Sequence, residues 1–101
     1  MLSSTENPPL KFNPSIGETK QNAIVPGNKI GWLHSMADAP GATFDIVIRD
    51  TLGREKFRRN NCATDTKEFG ELVNLPTLIG EPVEVEIDNL KGATEIQVFL
   101  N

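Results

Sequence analysis

The side chains able to do chemistry in this 101-residue chain are few: one histidine, His34, one cysteine, Cys62, and fourteen acids. A general base or a Ser-His-Asp relay would have to use His34, with a nucleophile and an orienting carboxylate in reach. Its neighbours Ser35 and Asp38 are residue types too common to mark such a site, so the expectation for His34 is an ordinary hydrogen bond at a strand end or in a loop. Cys62 and a single histidine cannot assemble the His/Cys sets that zinc takes. Within Arg58-Arg59-Asn60-Asn61-Cys62 the cysteine reads as a small, partly buried residue. Asp38, Asp45, Asp50 and Asp88 are oxygen ligands in principle, but their spacing matches no calcium loop. Glu84 and Glu86, at i and i+2, could share a substrate between two carboxylates, yet one solvated strand face explains them more economically. No Gly-rich phosphate cradle is present. No catalytic residue, metal site or cofactor is expected, and the chain reads as a non-enzyme.

The elements that would position these side chains are strands. In Thr43-Phe44-Asp45-Ile46-Val47-Ile48-Arg49 the apolar Phe44, Ile46 and Ile48 alternate with Thr43, Asp45 and Arg49, the period of a half-buried strand. Asp50-Thr51-Leu52-Gly53 has Asp first and Gly fourth, as a type I turn prefers, and predicts a hairpin into Arg54 to Arg58 with Phe57 inward. Val83, Val85 and Ile87 oppose Glu84, Glu86 and Asp88, and an Asn89-Leu90-Lys91-Gly92 turn leads to a last strand, Thr94 to Leu100, burying Ile96, Val98 and Leu100 or, where it is covered on both sides, Phe99 as well. Lys29 to His34 reads as a strand with a bulge at Gly31. Thr66 to Val73 fits either a helical turn, with Phe69, Leu72 and Val73 at i, i+3 and i+4, or a strand. Leu78 and Ile79 are expected to plug one end of the core. Trp32, the only tryptophan in a chain without tyrosine, is expected in the core, because a small domain needs its largest apolar side chain inside; the competing reading is an exposed platform for a sugar. Five or six short strands make an all-β fold, a small antiparallel β-sandwich or jelly-roll-like domain over residues 28–101.

Residues 1–27 have a different character. Pro8, Pro9, Pro14 and Pro26 punctuate a polar stretch without apolar periodicity, which reads as an extended N-terminal arm ordered by a partner. On that reading Leu10, Phe12, Ile16, Ile24 and Val25 contact the partner, and deleting residues 1–27 leaves a folded domain. Basic residues crowd the hairpin at Arg49, Arg54, Lys56, Arg58 and Arg59, whereas Asp65 to Glu95 holds eight acids against Lys67 and Lys91. Two solvated faces explain this asymmetry; a sharper explanation puts Arg54, Lys56, Arg58 and Arg59 against the acidic edge of a neighbouring subunit.

A net charge of −4 argues against a nucleic-acid partner, and no apolar run approaches the length of a membrane span. The polar start after Met1 is unlike a signal peptide, and the lone cysteine points to a reducing compartment. With its Pro-rich arm, the segment Phe44-Asp45-Ile46-Val47-Ile48-Arg49-Asp50-Thr51-Leu52-Gly53-Arg54 and the end Thr94-Glu95-Ile96-Gln97-Val98-Phe99-Leu100-Asn101, the chain resembles small virion proteins of tailed bacteriophages, above all capsid decoration or cement proteins. The resemblance covers the whole architecture and rests on no signature motif. It implies a structural protein assembled in the host cytoplasm into the virion. Its partners would be the major capsid protein and neighbouring copies of itself, with no nucleic acid or membrane, as a homo-oligomer on the particle. Two alternatives stay open: a carbohydrate-binding or host-recognition module, which predicts an exposed Trp32 beside a groove, and a small adaptor of a phage tail or neck.

Overall fold

Residues 10–25, 27–64 and 68–100 are described in a computed structural model. Eight strands follow one another: β1 (Leu10–Phe12), β2 (Lys20–Ile24), β3 (Lys29–Ala37), β4 (Thr43–Arg49), β5 (Glu55–Ala63), β6 (Glu68–Pro76), β7 (Pro82–Lys91) and β8 (Ile96–Leu100). They form two antiparallel four-stranded sheets, ordered β1-β8-β3-β6 and β2-β7-β4-β5. Of the consecutive strands only β4 and β5 are hydrogen-bonded neighbours; every other connection crosses from one sheet to the other.

The alternation read from sequence sets the inner faces. Phe44, Ile46 and Ile48 from β4, Val83, Val85 and Ile87 from β7, and Ile96, Val98 and Leu100 from β8 meet Ile30 and Leu33 of β3 in a single core shared by both sheets. Each such aliphatic or aromatic side chain stabilises the fold by ~1.5–3 kcal/mol on burial. Phe57 is half-buried against the same core, in line with its expected inward place. Val47 breaks the pattern: it lies on the outer face yet is buried, flanked in register by Arg58 and Glu86, whose long stems are suited to covering it. Inside, the hydroxyl of Ser35 is buried without a hydrogen-bond partner among the described residues.

Two expectations change here. Residues 10–25 are not an arm set apart from the domain. β1 pairs with β8, and β2 pairs with β7, so this stretch supplies the edge strand of each sheet. Phe12 and Val25 are 1% and 0% exposed in the core, so the deletion imagined from sequence would remove core and two strands. The chain gets from β1 to β2 through a short 3-10 turn, Pro14–Ile16, ended by Gly17 at φ 87°, where a side chain would be strained. Residues 1–9 and Pro26 of the expected arm lie outside the described residues, as do Thr66 and Lys67. The second change concerns β7, which runs on through the expected turn to Lys91 and then crosses to β8 in the other sheet instead of folding back on itself. Asn89 accommodates this in a left-handed conformation at φ 54°. The segment left open between helix and strand is a strand, β6.

Candidate functional site

The outer face of the first sheet is where the sequence and the fold part most clearly. β3 reads Lys-Ile-Gly-Trp-Leu-His-Ser-Met-Ala, and unbroken alternation would put Trp32 on the same inner face as Ile30. The register with β6 shifts between Ile30 and Trp32, however, and this irregularity turns Ile30 and Leu33 both inward. Trp32, His34 and Met36 are thereby carried to the outer face. Trp32 is 43% exposed, which overturns its expected place in the core. Its indole lies against Gly70 of β6: a Cβ added at Gly70 would stand 2.7 Å from the indole Cζ2. Glycine at 70 is thus what lets the ring lie down on the neighbouring strand.

The next row across the sheet is Gly70, His34 and Phe99. The His34 imidazole stacks on the Phe99 ring with centroids 5.5 Å apart and planes 26° from parallel. His34 is therefore part of an aromatic surface, not a loop residue. Beyond it Met36 sits opposite Gln97, and these two open onto a hollow of about 230 Å³ also lined by Ala37, Asp38, Glu95 and Ile96. The far wall is held by Asp38, whose carboxylate accepts hydrogen bonds from the Thr94 N–H, the Thr94 hydroxyl and the Glu95 N–H. Those donors, the Thr94 hydroxyl first, hold the Asp38 carboxyl below the usual carboxylate range. Asp38 thus acts as a clamp between two loops.

A second uncommon surface lies at the end of the molecule where the β2–β3, β4–β5 and β6–β7 connections gather. The Val25 N–H donates to the Glu81 carbonyl, the Thr77 N–H donates to the Asn28 carbonyl, and Lys56 pairs with the Glu81 carboxylate at 3.3 Å. At this end Ile24, Leu52, Leu78 and Ile79 are 55%, 75%, 76% and 82% exposed. Leu78 and Ile79 do not plug the core as expected, because the loop is tied down instead by the Glu81 carboxylate accepting from the Leu78 N–H. Next to this end, a groove of about 460 Å³ runs between Asn22, Pro82, Val83 and Glu84 on one side and Asp50, Thr51 and Gly53 of the turn on the other.

The residues singled out from sequence are dispersed by the fold. Phe12 and Val25 are buried in the core instead of facing outward; Leu10 is half-buried against the core, while Ile16 is exposed in the β1–β2 connection and Ile24 at the end of β2. The basic hairpin meets acids of its own chain. Arg54 pairs with Asp50 at 2.8 Å, Arg58 with Glu55 at 2.9 Å and Lys56 with Glu81, and Arg49 reaches both Glu86 and Glu84 of β7. Arg59 is exposed on β5 opposite Ile46. Part of the charge asymmetry along the chain is thus met by ion pairs within the chain itself. Cys62 is buried, with its thiol 3.7 Å from the Arg59 carbonyl oxygen. Asp45 accepts from the Asn61 N–H and the Asn89 amide, and these, the Asn61 N–H first, hold its carboxyl below the usual range. Among the described residues no group of three or more His, Cys, Asp or Glu side chains is placed to hold a metal ion.

Reading the sequence missed His34, Met36, Phe99 and Gly70 as one surface, and Leu52, Leu78 and Ile79 as another. A signal existed for the first: shifting the alternation of β3 by one residue at Gly31 puts Leu33, Ser35 and Ala37 inside and the aromatic and thioether side chains outside. No family model matches the sequence, and no curated protein matches it.

Proposed function

We propose that this chain is a structural protein of a phage virion, a jelly-roll domain that decorates the outside of the capsid and attaches to the shell through its apolar loop end. The strand orders β1-β8-β3-β6 and β2-β7-β4-β5 support the jelly-roll reading, since this is how eight strands are distributed when two Greek keys roll into two sheets. That architecture is common in viral capsid and lectin domains. The observation that carries the attachment reading is the exposure of Ile24, Leu52, Leu78 and Ile79 at one end of the molecule. Four large aliphatic side chains held out on tied-down loops and, for Ile24, at the end of β2 lose nothing by leaving water, and apolar surface of this kind marks protein contacts. Residues 10–25 being part of the sheets, attachment no longer depends on a long arm; many weak contacts repeated over a symmetric shell give the avidity instead.

The test is co-sedimentation of the full chain with heads that lack it. The wild type is expected to saturate the heads at lattice stoichiometry and to raise their heat resistance, and a Leu78→Ser/Ile79→Ser variant to lose both while keeping its own melting temperature. Binding at ring stoichiometry would favour the tail or neck adaptor, and binding undiminished in the variant would remove the loop end from the mechanism.

A further inference from the structure

We propose that the outer face of the β1-β8-β3-β6 sheet is a binding site for a neutral oligosaccharide, with a sugar ring stacked on Trp32 and the chain running along β3 toward the hollow beside Gln97. The site is distinct from the apolar loop end.

Four observations converge on this occupant. The first is preorganisation. The ring of Trp32 is laid against the β6 backbone by the absence of a side chain at Gly70, so an exposed indole is held in one place and little side-chain freedom remains to be lost on binding. The second is the chemistry of the row that follows: the stacked His34–Phe99 pair extends the apolar platform, and the Gln97 amide, opposite Met36, offers both a donor and an acceptor. Flat C–H faces with hydroxyls at the rim are what such a mixture fits. The third is shape. From Trp32 to Asp38 the chain spans about 20 Å, and its far end opens into the 230 Å³ hollow, so an aromatic row leads to a polar end.

The fourth is charge, and it separates a sugar from a nucleic acid. A platform that stacks bases needs a basic groove for the phosphates. Here Trp32, His34, Met36, Gln97 and Phe99 form a centre without any lysine or arginine; Lys11, opposite Gln97 on β1, stands at the margin, and the whole chain carries −4. A neutral glycan needs no such counter-charge.

Trp32 is the only tryptophan and the chain has no tyrosine, so the protein's own emission reports this site directly. The full chain is titrated with cellohexaose, chitohexaose, maltohexaose and mannohexaose, and with heparin and oligo-dT as charged counterparts. At least one neutral hexasaccharide is expected to give a saturable change in emission at micromolar to millimolar concentration, with the charged polymers silent. Affinity electrophoresis in the matching polysaccharide then tests variants whose fold is checked by far-ultraviolet circular dichroism. Trp32→Ala should lose retardation completely, Trp32→Phe should keep part of it, and Gln97→Ala should weaken it about tenfold. The proposal fails if no neutral sugar alters the emission, if oligo-dT does so instead, or if emission shifts with protein concentration alone, which would make the face a contact between copies.

Discussion

The two outer faces of this small protein are built on the same pleat and have opposite characters. On the β2-β7-β4-β5 sheet the cross-strand rows are Lys20, Glu86, Val47, Arg58 and Asn22, Glu84, Arg49, Glu55. Charges of opposite sign alternate across neighbouring strands, and Arg49 hydrogen-bonds Glu86 directly. On the β1-β8-β3-β6 sheet the rows are Gly70, His34, Phe99 and Met36, Gln97, Lys11, where the charge of Lys11 stands on the edge strand β1. The first face carries ion pairs made among its own residues. The second leaves an indole and a thioether exposed to water.

Damage to what both faces stand on should be the largest effect. Phe12→Ala removes a fully buried ring that β1 brings to the core, and a loss of about 3–5 kcal/mol in urea unfolding is expected. A cost near zero would mean that residues 10–12 act as an arm after all.

A smaller effect sharpens the contrast from the aromatic side. Gly70→Ala puts a Cβ against the indole and should cost about 1–3 kcal/mol through overpacking, with a shift in Trp32 emission. In the Trp32→Ala background the same substitution should be harmless, and a double-mutant cycle reads the difference as coupling. Additive costs would show that the ring does not rest on Gly70.

Acid should act on four hydrogen-bonded carboxylates, three in loops and one, Asp45, on β4. Asp38, Asp45, Asp50 and Glu81 each accept backbone or side-chain hydrogen bonds that lower their carboxyl pKa in the folded state. A group lowered in this way contributes stability above its unfolded value, and the contribution is lost as pH falls through the folded one. The urea midpoint should therefore be flat from neutrality to about pH 5 and fall below about pH 4, near the unfolded carboxylate values. Asp45→Asn should make that fall shallower; an unchanged profile would remove Asp45 from it.

The smallest effect belongs to the charged face itself. Arg49 is partly exposed, so replacing it with Met, which keeps the stem over the sheet, should change stability by less than about 1 kcal/mol and become milder still in high salt. A larger loss would make that face structural in a way its solvated ion pairs do not suggest.

Most of the strands and their inner faces can be read from the chain, because a half-buried strand writes its burial into every second residue. Phe44, Ile46 and Ile48, and Val83, Val85 and Ile87, turned out buried for that reason. The scarcity of His and Cys likewise limited the chemistry before any fold was known. What the chain alone could not convey are relations between distant segments. The paired strands that make edge strands of residues 10–12 and 20–24 lie far away at β8 and β7, so without them the stretch reads as unstructured. Asp50 and Glu55 pair with Arg54 and Arg58 from within the hairpin, but the acids that meet Arg49 and Lys56 are on β7 and in the β6–β7 loop, remote in sequence and adjacent only once the sheet has formed. The exposure of Trp32 rests on the irregularity at Gly31, which the sequence does hint at, and on a glycine 38 positions away, of which a local pattern carries no record.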